Sequence, residues 1–149
     1  MSDLSIEPKQ WIDFGGYRWP DVFDSVTEEY RLLMEDRGLV ILPAYEYIKL
    51  EGPDVKGFLQ GLLSQDVNAL GRGETAESWA LDANGKIIAL FDLCCGDGFY
   101  LLQTPHGLAD RLVTHLNRYL IMEDVTISRP DLTCAALVGP NALYEKERL

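Results

Sequence analysis

The sequence is poor in the residues that most often build metal and nucleophilic sites. It has three cysteines and two histidines in 149 residues. Cys94, Cys95 and Cys134 lack the spacing of a zinc site or a disulfide framework, so we expect reduced, apolar strand residues. His106 and His115 have no partner at metal-ligand or triad spacing, and we expect structural roles for both. No metal cofactor is therefore predicted.

Basic residues and long apolar runs are also scarce. Thirteen Lys and Arg stand against 24 Asp and Glu, and the net charge of −11 repels phosphate backbones and anionic lipid headgroups. No stretch approaches the roughly 18 apolar residues of a membrane helix. The opening "MSDLSIEPKQ" has neither a basic start nor an apolar signal core. These absences predict a cytoplasmic protein that binds neither nucleic acid nor membranes.

The sequence does contain enough apolar material for a core. Apolar residues make up 47% of the chain and aromatic residues 10%. A disordered chain of this length would have a lower apolar content. We therefore expect residues 1–149 to form a single domain or a part of one.

Three segments carry apolar residues at helical spacing. The first opens with Ser25 and Glu28 in capping-box spacing and stops at Gly38, whereas the second opens with Pro53 in its first turn. The predicted helices cover residues 24–37, 53–64 and 107–120. Each has an apolar stripe on one side, so each is expected to pack against a neighbouring layer.

Strand signals lie between and after these helices. A strand is predicted in "LVILPAYEYIKLEG", residues 39–52, where residues 45–50 alternate between two faces and Pro43 marks a strand edge or a bend. A hairpin is predicted from about Ala76 to Cys95 around Asn84-Gly85, because both turn residues tolerate the positive φ of a type I′ turn. "GDG" at 96–98 leads to a third strand, "DVTISRP" and "TCAALVG" are short strands, and "PNALYEKERL" begins a further helix. This order predicts an α+β fold with helices packed on a mainly antiparallel sheet.

Five stretches, in a fixed order along the chain, resemble segments of one protein family. They are "WIDFGGYRWPDVFDSVTEEYRLLMEDRGL", "LEGPDVKGFLQGLLSQDVNAL", "LDANGKII", "LNRYLIMEDVTI" and "LVGPNA". Together they resemble the N-terminal part of the glycine cleavage system T-protein, the aminomethyltransferase GcvT. The resemblance spans nearly the whole chain but only the first half of the family fold.

The resemblance implies a folate-binding fold, since the T-protein holds tetrahydrofolate in a channel between two pseudo-symmetric halves. In that family, an aspartate from an Asp-Asp pair after the hairpin turn helps to transfer an aminomethyl carbon from a lipoyl carrier. Aligned through Asn84 and Gly85, the pair falls on Ala89 and Leu90. Neither side chain can hold a proton or a charge, so we expect tetrahydrofolate binding with little or no transferase activity.

Candidate folate-binding residues follow from the same alignment. The positions near the family's channel are Tyr45, Asp66, Trp79, Asn84 and Gly85. Aromatic faces with a few polar groups suit a flat heterocycle. Each residue also has a structural alternative: the aromatic rings can pack on the sheet, Asp66 can anchor a turn, and Asn84-Gly85 is required by the hairpin.

Two acidic residues stand close to these positions. Asp92 follows Leu90 by two residues, so strand alternation places it on the same face. Glu77 stands where the family has a tyrosine that faces the pterin. The departures from the family therefore concentrate at the pocket and not in the scaffold.

Alternative functions remain open from the sequence. The chain could be an active one-carbon transferase that uses a substitute acid and a second half, or an interaction module without a ligand. It could also belong to the YgfZ branch, which is linked to iron–sulfur protein maintenance and whose Asp-Ala-x-Gly-Lys hairpin is similar to residues 82–86. The missing half of the channel would come from a longer gene, from a separately encoded partner or from a second copy. We expect a homodimer, because half of the fold leaves apolar surface uncovered.

Overall fold

The computed structural model describes residues 7–14, 16–42 and 44–142. The elements, in chain order, are β1 (Gln10–Phe14), β2 (Tyr17–Val22), α1 (Val26–Glu35), β3 (Gly38–Leu42), β4 (Tyr45–Glu51), α2 (Val55–Leu62), a 3₁₀ turn (Val67–Ala69), β5 (Thr75–Leu81), β6 (Ile87–Cys95), β7 (Phe99–Pro105), α3 (Ala109–Tyr119), β8 (Thr126–Ser128) and β9 (Cys134–Val138). Every strand ladder among the described residues is antiparallel. The α+β class with a mainly antiparallel sheet is therefore confirmed.

The chain forms two compact units. The first comprises the residues up to Ala44 and from Thr133 onward, and the second comprises Tyr45–Leu132. The second unit therefore lies, in sequence, between the two segments of the first. That residues 1–149 form a single partial domain stays a prediction.

The second unit is built on a five-stranded sheet with the order β5-β6-β7-β4-β8. One face, called the inner face, carries α2 and α3 and holds the core; the opposite face is called the outer face. The fully buried core side chains include Ile48, Leu50, Leu59, Phe91, Leu93, Leu102, Leu112 and Leu116. Each such side chain stabilises the fold by roughly 1.5–3 kcal/mol through its removal from water.

The three predicted helices are present, and each is shorter than its apolar pattern. Ser25 caps α1, because its Oγ accepts from the N–H of Glu28 at 3.3 Å. The reciprocal carboxylate is that of Glu29, whose Oε1 accepts from the N–H groups of Phe23 and Asp24, both at 2.7 Å. In α2, Pro53 precedes the N-cap Asp54 and is not in the first turn. Helix ends are the least certain part of a sequence pattern because capping geometry decides them.

The β5–β6 hairpin is present, but its predicted type I′ turn is wrong. Gly85 has a φ of 79°, whereas no described non-glycine residue, Asn84 included, has a positive φ. The N–H of Gly85 donates to the carbonyl of Asp82 at 2.9 Å, which closes a turn over residues 82–85. The Asp82 carboxylate then accepts from the N–H groups of Asn84 and Lys86 at 2.8 and 2.9 Å. This side chain stabilises a type I turn followed by a glycine, so Asn84 keeps ordinary backbone angles.

Glu46 on β4 fixes the start of α3. Its Oε2 accepts from the N–H groups of Gly107 and Ala109 at 2.9 and 3.2 Å, and its Oε1 pairs with Arg129 at 2.8 Å. Burial alone would raise the pKa of Glu46, but the two backbone donors and the positive charges of His106 and Arg129 outweigh it and lower the pKa below 4.5. The carboxylate thus replaces the missing N-cap side chain of α3.

The first unit contains α1, the β1–β2 hairpin and a two-stranded β3–β9 ladder. The hairpin was not predicted, whereas β9 was. Gly139, which follows β9, has a φ of 126°, and a Cβ there would lie 2.5 Å from the carbonyl oxygen of Asp36. The N–H of Asn141 donates to that same carbonyl at 3.0 Å. The "GPN" segment therefore closes on the C-terminal end of α1, which requires a residue without a side chain.

Two predictions touch residues outside the described ranges. Pro43 is one of them, and the strand signals on its two sides belong to β3 and β4, which lie in different sheets. The predicted helix in "PNALYEKERL" is described only to residue 142, where the chain forms a turn, and its remainder lies outside the described residues.

Candidate functional site

Strand β6 separates the two positions, Ala89 and Leu90, on which the Asp-Asp pair of the resembled family is expected to fall. Ala89 lies on the inner face and is 2% exposed, whereas Leu90 lies on the outer face and is 41% exposed. Asp92 is on the outer face with Leu90, as strand alternation predicts. A carboxylate at position 90 would therefore lie on the outer face, where a ligand could reach it. A carboxylate at position 89 would lie in the core beside Phe91.

A row of polar side chains crosses the outer face over four strands. Glu77 on β5 lies opposite Asp92 on β6, Asp92 lies opposite Gln103 on β7, and Gln103 lies opposite Tyr47 on β4. The Tyr47 hydroxyl donates to Oε1 of Gln103 at 3.3 Å. Because neighbouring strands are about 4.8 Å apart, this row spans roughly 14 Å. It presents two carboxylates and one amide, and it ends at Tyr47, which is buried at 8% exposure.

The aromatic candidates flank this row at one end of the sheet. Trp79 pairs with Leu90, and Tyr45 pairs with Pro105. Trp79 is 41% exposed and Tyr45 is 36% exposed, so neither ring is part of the core. The backbone of Trp79 is fixed on its other side by Ser64, whose Oγ accepts from the Trp79 N–H at 2.9 Å. The structure thus brings these two candidates to one face, three strands apart, with β6 and β7 between them.

The other candidates lie off this face. Asp66 is exposed and caps the 3₁₀ turn, since its Oδ1 accepts from the N–H of Asn68 at 3.2 Å. Asn84 and Gly85 form the exposed tip of the β5–β6 hairpin. For these three residues the structure shows the turn-forming contacts. Their part in folate binding stays a prediction.

The outer face is acidic along its central row. Glu77 and Asp92 face each other directly, and like charges in such a pair repel. Lys49 on β4 is the cation of this face, and its Nζ pairs with Glu51 at 2.6 Å and lies 5.2 Å from the ring of Phe99. The surface can therefore accept hydrogen bonds from N–H donors and stack a flat ring, but position 90 supplies no acid.

Sequence reasoning missed Tyr47 and Gln103 as parts of this surface. Tyr47 follows the candidate Tyr45 by two residues, so the strand period could have found it. Gln103 carries no signal of its own, because it meets Asp92 only through the register of β6 on β7. That register depends on the turn at 96–98, whose length the sequence shows but whose geometry it does not.

His106 lies just before α3 and His115 lies within it, and Nε2 of His106 is 3.9 Å from Oε1 of Glu46. His115 is 5% exposed on the inner side of α3, with its ring 5.1 Å from that of Tyr119. Burial, with the nearby charge of Arg118, lowers the pKa of His115 below 6.5 against an opposing effect of Asp82. All three cysteines are free. Within residues 7–142, apart from the gaps stated above, no cluster of three His, Cys, Asp or Glu is arranged to hold a metal ion.

The described helices include none with the length and apolar character of a membrane span. The longest, α3, has 11 residues and carries Asp110, Arg111 and Arg118.

Comparison with known proteins identifies relatives along most of the chain. The family model of the GCVT N-terminal domain matches residues 7–144. The chain is 33% identical over 134 residues to an aminomethyltransferase of Lysinibacillus sphaericus and 29% identical over 134 residues to one of Stenotrophomonas maltophilia. Each alignment covers 88% of this chain and 36% of the relative. A probable aminomethyltransferase of Natronomonas pharaonis is 27% identical, with 38% of its length covered.

The fold has a solved counterpart. The glycine cleavage system aminomethyltransferase T from Bartonella henselae superposes with a TM-score of 0.75 at 22% identity, over 93% of this chain and 39% of that protein. The chain therefore spans a little over a third of the length of the relatives that it matches. Since the family match extends over residues 7–144, the chain belongs to the GCVT N-terminal domain family of aminomethyltransferases.

Proposed function

We propose that the outer face of the five-stranded sheet binds tetrahydrofolate and that this chain catalyses little or no aminomethyl transfer. The observation that carries the proposal is the row Glu77–Asp92–Gln103–Tyr47 with Trp79 beside it. A pterin is a flat ring with an edge of N–H donors. Carboxylate and amide oxygens match such an edge, and an exposed indole offers a stacking surface.

The polar side chains of the outer face are better suited to binding the pterin ring than to catalysing carbon transfer. Asp92 and Glu77 are acceptors when ionised, and the Gln103 amide both donates and accepts. Trp79 and Tyr45 would limit the access of water to a ring between them. When bound, tetrahydrofolate supplies the nitrogen atoms that accept a one-carbon unit. The residues named here bind and orient the ring.

The absence of transfer activity is inferred from position 90. A positioned carboxylate contributes about 100- to 10,000-fold to such a step, and Leu90 has none. Asp92 is on the same face but about 6–7 Å further along the strand, which is too far to replace a group that must contact the reacting atoms. An active transferase that uses Asp92 is the alternative, and a specific assay separates the two.

Calorimetric titration of the chain with tetrahydrofolate under reducing conditions tests the binding. We expect saturable binding, and we expect Trp79→Ala to weaken it by about tenfold or more, since an aromatic stacking contact contributes about 1–1.5 kcal/mol beyond the area that it buries. Tyr30→Ala is the matched control, because Tyr30 is an exposed aromatic residue on α1 and 65% exposed. No saturable heat at about 1 mM tetrahydrofolate would exclude this function.

An assay of folate-dependent carbon transfer from an aminomethyl-lipoyl carrier tests the second part of the proposal. We expect no turnover above the uncatalysed background. Turnover at a rate that Asp92→Asn abolishes would show the transferase instead. A chain that neither binds nor transfers would favour an interaction module.

We also propose that two copies associate, and that the second copy contributes the other side of the folate site. Large apolar side chains are exposed in both units, among them Leu39 at 58%, Leu137 at 41% and Leu90 at 41%. Such surface is normally covered in soluble proteins. The net charge of −11 opposes association, but salt screens it within about 10 Å at 0.1 M. Sedimentation equilibrium at micromolar concentration is expected to give a dimer, and a single monomeric species would exclude a shared site.

A further inference from the structure

The first unit contains a cavity of about 770 Å³ that the folate proposal does not use. Its walls come from the β1–β2 hairpin, α1 and β3. They are mainly apolar, with Trp11, Phe23, Leu32, Leu33, Leu39 and Ile41 among the lining residues. A volume between about 300 and 1,000 Å³ with apolar walls and few polar groups is typical of small-molecule sites.

Four charged residues line this cavity, and two of them already have partners. Glu29 accepts from the backbone N–H groups of Phe23 and Asp24 at 2.7 Å each. The Asp24 carboxylate pairs with Lys9 Nζ at 2.7 Å. These contacts hold the hairpin on the N-terminal end of α1, so the two carboxylates are part of the wall.

The other two charged groups, Arg18 and Asp21, have no ion-pair partner within 4.0 Å among the described residues. The Arg18 guanidinium lies 5.1 Å from the ring centroid of Trp11. Stacking of this kind orients the guanidinium plane and leaves its N–H edge available for a carboxylate. Asp21 lies three residues further along β2 and is exposed. Since these two residues do not pair with each other, the cavity wall presents one separate positive and one separate negative charge.

We propose that this cavity binds an amphipathic zwitterion, of the class of α-amino acids with a large apolar side chain. The ligand carboxylate pairs with Arg18, the ligand ammonium pairs with Asp21, and the apolar side chain lies among the leucines of α1 and β3. A ligand with a carboxylate alone would leave Asp21 unpaired and meet a chain of net charge −11. A ligand with an amine alone would meet the positive charge of Arg18. This site is independent of folate binding.

Three probes that differ only in charge test the proposal. They are 4-phenylphenylalanine, 2-(biphenyl-4-yl)ethylamine, which lacks the carboxylate, and 3-(biphenyl-4-yl)propanoate, which lacks the amine. Binding to the intact chain is measured by calorimetry or by saturation-transfer NMR. We expect the zwitterion to bind up to about fivefold more tightly than either single-charge probe, because an exposed ion pair contributes up to roughly that factor.

Two substitutions assign the charges. Arg18→Gln is expected to weaken the zwitterion and the propanoate by about fivefold and to leave the amine unchanged. Asp21→Asn is expected to weaken the zwitterion and the amine and to leave the propanoate unchanged. The controls are Arg31→Gln and Glu35→Gln, which make the same changes in net charge on the exposed surface of α1 and outside the cavity.

Several results would overturn the proposal. They are the absence of saturable binding of the zwitterion at about 1 mM, equal affinities for the three probes, or an equal effect of the control and cavity substitutions. The last result would show a response to net charge and not to this site. Circular dichroism of each variant establishes that the fold is kept, and both substituted side chains are exposed, so loss of the fold is not expected.

Discussion

The inner and outer faces of the five-stranded sheet are made by alternate residues of the same strands, yet they have different composition. On β6, the inner residues Ala89, Phe91 and Leu93 are at most 2% exposed, whereas Leu90 between them is 41% exposed. The inner face keeps the apolar residues that any protein of this fold needs in its core. The outer face carries Leu90 and Glu77, two of the positions at which the sequence departs from the family that it resembles. Under the proposed function, substitutions on the outer face alter the ligand chemistry while the inner face keeps the fold, because alternate residues of the same strands serve the two roles.

The strongest test of this comparison is a carboxylate placed on each face in turn. Ala89→Asp would bury a charge in the core, and we expect a loss of more than about 4 kcal/mol in the free energy of unfolding or no folded protein. Leu90→Asp would place the same group in water, and we expect a change of less than about 1 kcal/mol. Urea unfolding followed by circular dichroism measures both.

Leu90→Asp also tests the chemistry. It places one carboxylate of the pair on the outer face, whereas position 89 keeps a buried Ala. We expect carbon transfer to stay at background. If this single change gave turnover, the missing acid alone would explain the inactivity.

A smaller difference is expected when side chains are shortened. Phe91→Ala removes a fully buried ring and should cost about 3–5 kcal/mol through lost burial and the cavity left behind. Leu90→Ala, on the adjacent residue, should cost less than about 1 kcal/mol because Leu90 is half exposed. Equal losses would show that Leu90 is as deeply buried in solution as Phe91 and would contradict the difference between the two faces.

The sequence predicts which residues of a strand share a face better than it predicts which residues of neighbouring strands lie opposite each other. The alternation of β6 and the positions of α2 and α3 follow from apolar spacing, which is local. The meeting of Gln103 with Asp92, and of Tyr47 with Gln103, depends on cross-strand register, which turn geometry sets. The β5–β6 turn is a case in which the prediction of turn geometry fails. Asn-Gly alone favours a type I′ turn, but hydrogen bonds to the Asp82 carboxylate stabilise a different turn.

The β1–β2 hairpin shows a different limit. It is a two-stranded ribbon whose strands pair over five or six residues, and Trp11 and Ile12 are both about half exposed. Because these two neighbours on β1 are equally exposed, the strand shows no alternation to recognise, and the cavity that this hairpin helps to form could not be predicted.

Substitution of Glu46 tests whether this polar group on the inner face stabilises the fold. Its pKa is lowered in the folded chain, so its stabilising contribution is complete above pH 4.5 and is lost as the pH falls through the folded value. We expect Glu46→Gln to cost about 1–2 kcal/mol at pH 7, because a charged acceptor for two N–H groups and Arg129 is lost. The variant should also lose less stability than the parent chain when the pH falls below 4.5.

The control for Glu46 is Glu77→Gln on the outer face. This change removes one charge opposite Asp92, so it should be neutral or slightly stabilising. Unfolding curves of both variants at pH 7 and pH 4 give the comparison. Similar losses for the two variants would contradict the separation of roles between the faces.

The smallest expected effect concerns His115, the titratable group of α3 that lies against the core. Its pKa is lowered from 6.5, because burial and Arg118 disfavour the charged ring more than Asp82 favours it. Between the folded pKa and 6.5 the unfolded chain binds the proton and the folded chain does not, so stability falls as the pH decreases through this interval. The slope is at most about 1.4 kcal/mol per pH unit.

Two measurements check this prediction. The chain has two histidines, so proton NMR resolves two imidazole titrations, and His106→Gln assigns them. We expect the His115 signal to titrate below pH 6.5, and we expect His115→Leu to flatten the fall in stability between pH 6.5 and pH 5 while keeping stability at pH 8 within about 1 kcal/mol. The Leu side chain fills a similar volume but loses the ring contact with Tyr119. A His115 signal that titrates at or above 6.5 would show that water reaches this side of α3. The inner face would then be more accessible to water than the 5% exposure of His115 indicates.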